Sequence, residues 1–182
     1  MAYCVCHQLA PRRVDCFTSS LPISAFTDGA CDSEMVTVGA CLFEHGCPPE
    51  TFGEVVPSEV ERRWRLGRSW QVIAQSELAP VVLSAHLWRD RLKGKHVLFW
   101  LDQDAARQGL IKGYSSNEMS ADLIDEALML LATLGIFPWF SRVPSDSNPA
   151  DLPSRFRWEE LFRLFPSMTR TRLTEEAWAY AK

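Results

Sequence analysis

Five consecutive apolar residues, VLFWL at 97–101, are closed by Asp102 and flanked on both sides by segments of helical period. A strand without a polar position is expected to be covered on both faces, which places it centrally in a parallel sheet between helical layers. Upstream, in SWQVIAQSELAPVVLSAHLWRDRLKG, the residues Leu78, Val81, Val82, Ala85, Trp88 and Leu92 recur at helical spacing, and Gly94 supplies a stop. Proline removes a backbone donor, so Pro80 is expected near the start of this helix, with Glu77 in or just before its first turn. Downstream, DAARQGLIKG reads as a short helix ending at Gly113. SADLIDEALMLLATLG reads as an amphipathic helix in which Ile124, Ala127, Leu128, Leu131 and Leu134 share a face, with Gly135 as the stop. IFPWFSRVP then predicts a fifth strand.

The first part of the chain has a different rhythm. LPISAFTDGA, VTVGACLFE and TFGEVV are three strand-like runs separated by the turn-forming CDSEM and CPPE, a pattern that predicts an antiparallel meander. Residues 57–68 are charged and fit one or two helical turns. NPADLPSR opens a last helical segment, and Trp158, Leu161, Phe162 and Phe165 share a helical face that should pack back on the domain or onto a neighbour. The expected fold class is therefore α/β: a five-stranded mixed sheet, three antiparallel strands followed by parallel ones, flanked by helices. The expected organisation is an extension at 1–20, one folded domain at 21–155 and a helical tail at 156–182.

Composition narrows the function classes. With 182 residues, 47% hydrophobic and 23% charged, the chain fits one globular domain. Its longest uncharged stretch, residues 127–141, contains Gly135 and Pro138 and is too short for a bilayer span. The N-terminus lacks the basic start and apolar core of a secretory signal, so an intracellular location, cytoplasmic or nuclear, is expected. All six cysteines fall within the first 47 residues, a distribution unlike a disulfide framework, and reduced thiols are expected. Cys41 reads as core. Cys4-Val5-Cys6-His7 is spaced too tightly for the usual zinc knuckle. The net charge of −4 argues against self-sufficient, high-affinity binding to nucleic acid, because phosphate contacts need Lys and Arg. It leaves room for an acidic active site neutralised by metal.

Four acids stand at element ends that such a sheet brings together. Asp28 lies inside the apolar first strand, Glu77 at the first long helix, Asp102 at the carboxyl edge of the fourth strand, and Asp151 just after the fifth. Each has a plain structural alternative. Asp28-Gly29 can be a turn, Glu77 a first-turn acid favoured by the helix dipole, and Asn148 and Asp151 caps of the last helix. Asp102 and Asp104 compete for one position; Asp104 is assigned the cap of the following helix because Asp102 directly ends the strand. Trp70, Trp88, Trp100 and Trp139 read as core. Together, however, four carboxylates repel unless a cation sits among them, and hard oxygen ligands suit Mg²⁺ or Mn²⁺. Two such ions about 3.5–4 Å apart activate a water and stabilise the leaving oxygen of a phosphodiester.

FTDGA, the Glu of QVIAQSELAPVVLSA, the block VLFWLDQDAARQGLIKG and the ending VPSDSNPADLPSR resemble the ribonuclease H-like domains of retroelement reverse transcriptases. The nearest likeness is to the divergent group with D-x-x-A-A-x-x-x-L-I-K-G and N-P-A-D-x-x-S-R blocks. The resemblance implies that Asp28, Glu77, Asp102 and Asp151 are at once the catalytic residues and the ligands of two Mg²⁺ (or Mn²⁺) ions. The activity it implies is endonuclease cleavage of the RNA strand of an RNA–DNA hybrid. The implied partners are the hybrid and a reverse transcriptase domain of the same element, with no membrane. Two departures are visible. The loop before the fourth acid, residues 142–148, has no His where cellular members carry one for product release, and no Lys- and Arg-rich protrusion is evident, so grip would come from another domain. Two alternatives follow: an inactive module of the same fold that only binds or scaffolds, and a DNA-cutting nuclease using the same site.

Overall fold

The structure is a computed structural model describing residues 21–32, 35–66 and 72–181. The extension at 1–20, with Cys4, Cys6, His7 and Cys16, lies outside the described residues, as does Trp70. The strands are β1 (Ile23–Cys31), β2 (Val36–Phe43), β3 (Glu50–Val55), β4 (His96–Leu101), β5 (Phe137–Arg142) and the two-residue β6 (Thr169–Arg170), ordered β5-β4-β1-β2-β3-β6. β1, β2 and β3 form the expected antiparallel meander, and β1–β4 and β4–β5 pair in parallel. The sixth strand was not anticipated. It adds to the free edge of β3, with Glu50 opposite Thr169 and Thr51 opposite Arg170.

The helices are α1 (Ser58–Trp64), α2 (Ile73–Leu87), α3 (Arg89–Leu92), α4 (Asp104–Lys112), α5 (Glu118–Thr133), α6 (Asp151–Ser154), α7 (Trp158–Leu164) and α8 (Glu175–Trp178). One face of the sheet carries the main core, where Ile23, Ala25, Val38, Leu42, Val97 and Phe99 meet Leu78, Val81, Val82 and Leu131. Trp64 of α1 and Trp178 of α8 join this core, and the Trp64 indole N–H donates to the Ala181 carbonyl at 3.0 Å. On the other face Cys41, Leu152, Leu161 and Met168 form a second, smaller core with Phe26, Phe43, Trp158, Phe162 and Phe165. Trp158, Leu161, Phe162 and Phe165 thus pack back onto the sheet.

Three expectations are corrected. β4 is not equally covered on both faces: Val97, Phe99 and Leu101 are buried, whereas His96, Leu98 and Trp100 are only half-buried. A five-residue apolar run cannot reveal that one face is covered by aromatic stacking, Trp100 on Phe26 at 5.7 Å, rather than by a helix. Trp139, expected in the core, is 69% exposed, while Trp88 is buried and donates to Glu50 at 3.0 Å. Finally, Pro80 sits eight residues into α2, and Glu77 lies in its second turn. Proline cannot bond the carbonyl four residues back, and that carbonyl, of Ser76, is pressed against Gly29 of β1 instead. The lost helical bond falls where the helix touches the strand most closely.

Candidate metal centre

The register of β1 and β4 builds the first half of the site. Phe26 is opposite Trp100, so two residues further along each parallel strand bring Asp28 beside Asp102. Asp28-Gly29 is accordingly strand interior and not a turn. Gly29 supplies the second half. A Cβ there would stand 2.3 Å from the Ser76 carbonyl oxygen, so only glycine lets α2 approach β1 this closely. The close approach carries Glu77 to the strand, where its carboxylate accepts from the Gly29 backbone N–H.

Asp28, Glu77 and Asp102 each present a carboxylate oxygen within 4.8 Å of the other two. Asp28 and Glu77 are 3% and 4% exposed, and Asp102 is half-buried. Charged groups so placed must find compensation. Burial pushes the Glu77 carboxyl up to about 9; Asp28 and Asp102 add to this, while the Gly29 N–H and Arg155 oppose it. Burial likewise pushes Asp28 up to about 6, against a hydrogen bond from Ser154 and with further upward pressure from Asp102 and Asp151. Glu77 Oε2 and Asp102 Oδ1 are buried without a hydrogen-bond partner. Three carboxylates that offer hard oxygen atoms this close together, two of them with a buried oxygen lacking a hydrogen-bond partner, could hold a divalent cation.

The fourth acid is placed differently. Asp151 opens α6 on the second face of the sheet, close enough to act on Asp28, but its carboxylate does not join the three-acid cluster. Its Oδ1 accepts from Arg155 Nε at 2.6 Å, and Arg157 stands 3.5 Å from its Oδ2. Two glycines seat this helix. Gly39 is opposite Asp28 on β2, and Gly53 is opposite Gly39 on β3. Side chains there would strike the Ser154 backbone nitrogen at 2.4 Å and the Pro153 carbonyl at 2.2 Å. With both positions empty, α6 lies on the sheet and the buried Ser154 hydroxyl donates to Asp28 Oδ2. Asn148 fixes the loop before α6: its amide donates to the Thr27 carbonyl at 3.0 Å, and its Oδ1 accepts from Ala150 N at 3.1 Å. The residue at the cap position of α6 is Ala150, with no side-chain cap bond, so neither Asn148 nor Asp151 caps it.

The residue assigned to cap α4 also changes. Gln103 does so, its Oε1 accepting from Ala106 N at 2.6 Å, while Asp104 is the first helical residue and pairs with Arg107 at 2.9 Å. Gln is outside the usual Ser, Thr, Asp and Asn capping set, which is why the sequence pointed one residue too far. Ser154 and Arg155, two further site residues, are marked in the sequence by their spacing. They stand three and four residues after Asp151, the spacing that puts helical side chains on one face.

No family model matches the chain, and no curated protein matches it. Solved structures do match. Ribonuclease H1 from the halophilic archaeon Halobacterium salinarum NRC-1 superposes with a TM-score of 0.58 at 16% identity, over 76% of this chain and 98% of that one. The N-terminal ribonuclease H domain of a Mycobacterium tuberculosis protein gives 0.49 at 12% identity, over 80% of this chain and 99% of that domain. The archaeal likeness carries the architecture alone, and it agrees with the strand order and helix placement above. The chain has the ribonuclease H fold.

Proposed function

We propose that this protein is a divalent-metal-dependent endonuclease that hydrolyses the RNA strand of RNA–DNA hybrids, with Asp28, Glu77, Asp102 and Asp151 as its metal-binding and catalytic residues. The observation that carries the reading is the trio of carboxylates whose oxygens lie within 4.8 Å of one another, two of them buried and two of their oxygens unpartnered. Two Mg²⁺ or Mn²⁺ ions, when bound, supply the activated water and stabilise the leaving oxygen. The chain's own residues orient the ligands. Ser154 holds Asp28, the Gly29 N–H holds Glu77, and Arg155 holds Asp151. A cleft of about 810 Å³ adjoins Asp151; Phe26 and Phe43 line it beside Arg155 and Arg157 and the acids Asp146 and Glu160, a mixed apolar and charged wall.

The motif blocks around the four acids support descent from a retroelement, with a reverse transcriptase domain of the same element as partner and an intracellular setting. Such a partner would also compensate the net charge of −4, which gives this chain little grip of its own. Among the described residues no helix is long and apolar enough to cross a membrane. The test is cleavage of an end-labelled RNA–DNA hybrid with Mg²⁺, beside duplex RNA, duplex DNA and a chelator control. Hybrid-selective, metal-dependent cutting is expected. Cutting of duplex DNA alone would move the assignment to a DNA nuclease, and no cutting of any substrate would leave a binding or scaffold module.

A further inference from the structure

Three of the four acids form a cluster without an ion-paired cation among the described residues; the fourth already has one. Arg155 Nε donates to Asp151 Oδ1 across one helical turn, and the Arg155 side chain is 55% exposed. Its position relative to the cluster is fixed by the seating of α6, because Ser154, one residue earlier, is bonded to Asp28. The charged form of Arg155 is favoured chiefly by its bond to Asp151, and Asp28 and Asp102 favour it too. Its Nη donors make no bond to protein among the described residues, and Arg155 is one of the residues that line the cleft adjoining Asp151.

We infer that Arg155 is a positioning residue that acts as the resident counter-cation of Asp151, gives up that carboxylate when a second divalent ion binds, and then contacts a phosphate of the nucleic-acid strand. The inference rests on the metal-dependent nuclease reading. Three physical points support it. A guanidinium and a divalent ion repel one another and cannot share one carboxylate at close range. An exposed pair four residues apart on a helix is weak, so an ion displaces it readily. The freed guanidinium keeps its charge and presents a planar fork of donors suited to phosphate. Arg155 would therefore oppose metal and assist substrate, a combination that a purely structural arginine does not produce.

The test compares the parent with Arg155→Gln and Arg155→Lys. Mg²⁺ binding is followed by calorimetry and by melting temperature, and hybrid hydrolysis by kcat and KM over a range of salt. For Arg155→Gln the weaker Mg²⁺ step is expected to tighten about two- to tenfold, the scale of an exposed ion pair with more distant charges added. KM for the hybrid should rise, and the slope of log KM against log salt should fall by about 1, as for one lost phosphate contact. Arg155→Lys, which keeps the charge without the fork, should bind Mg²⁺ like the parent and recover part of KM. An Arg155→Gln protein whose Mg²⁺ titration superimposes on the parent's overturns the inference while leaving the nuclease reading intact. So does one that loses metal and hybrid affinity together, or one with unchanged KM. A parent that neither binds Mg²⁺ nor cuts the hybrid overturns both.

Discussion

Glu77→Gln separates a metal ligand from a structural acid more cleanly than any other substitution here. In the metal-free protein the Glu77 carboxyl is pushed from 4.5 up to about 9, so at pH 7 the folded chain keeps a proton that the unfolded chain has released. At 1.36 kcal/mol per pH unit between 4.5 and 7, that retained proton costs about 3 kcal/mol of stability. Glutamine has nearly the same shape, still accepts from the Gly29 N–H, and offers donors to a pocket in which Asp102 Oδ1 has none. It removes the cost without opening a cavity. The variant should be more stable than the parent in chelator by up to about 3 kcal/mol, less whatever water entry already relieves in the parent. For a chain of this size each kcal/mol moves the melting temperature by about 2–4 °C. Melts by circular dichroism, with chelator and with Mg²⁺, are the assay. Glu77→Gln should melt several degrees higher without metal, gain nothing from Mg²⁺ and fail to cut the hybrid. A variant that melts lower than the parent in chelator, or that keeps the Mg²⁺ shift, would refute the reasoning.

The same protonation sets a pH dependence. Folded-state values of about 6 for Asp28 and about 9 for Glu77 lie above their ordinary 3.8 and 4.5, so the stability their protons contribute is complete at low pH and lost as pH rises through 6 and then 9. Melts in chelator should fall steadily from pH 5 to 9, and the Mg²⁺-induced rise should grow over the same window; a flat chelator profile would contradict this. Asp102→Asn should abolish cleavage and leave the metal-free protein as stable or more stable, since it lowers the charge of the cluster. Asp104→Asn, at an exposed position paired with Arg107, should change melting and cleavage little, and loss of activity there would mean that the third acid has been misassigned. Gly39→Ala should lower stability by roughly 1–3 kcal/mol in denaturant titrations, because its Cβ would meet the Ser154 backbone at 2.4 Å. It should also weaken Mg²⁺ binding by lifting α6 from Asp28.

Much of this was legible in the sequence because the periodicities are clean. β1 to β5 and the long helices α2 and α5 follow from alternation, apolar runs and helical spacing, and they put three of the four acids at one edge by topology alone. What escaped was tertiary. Pro80 reads as a helix-start signal by local rules, yet it stands mid-helix because the carbonyl it leaves unbonded faces Gly29 on another element. β6 is two exposed residues with no hydrophobic pattern, and it exists only because it meets the edge of β3. Trp139 lies on a strand whose neighbour is apolar, which predicts burial, but the residue lies at the open edge of the sheet. The place of Asp151 after the fifth strand and the likeness of its motif block put it near the other acids, but whether its carboxylate faces them or Arg155 is a matter of side-chain pairing. The row Asp28, Gly39 and Gly53 was equally hidden, since three residues on three strands become one surface only when the register is known.

The central claim, that these carboxylates form a divalent-metal site, is tested most directly by locating the ion. Crystals of the protein soaked in Mn²⁺ should show an anomalous-scattering peak between Asp28, Glu77 and Asp102, at about 2.1 Å from their oxygens. Manganese peaks only at surface acids elsewhere, with this pocket empty at saturating Mn²⁺, would contradict the account.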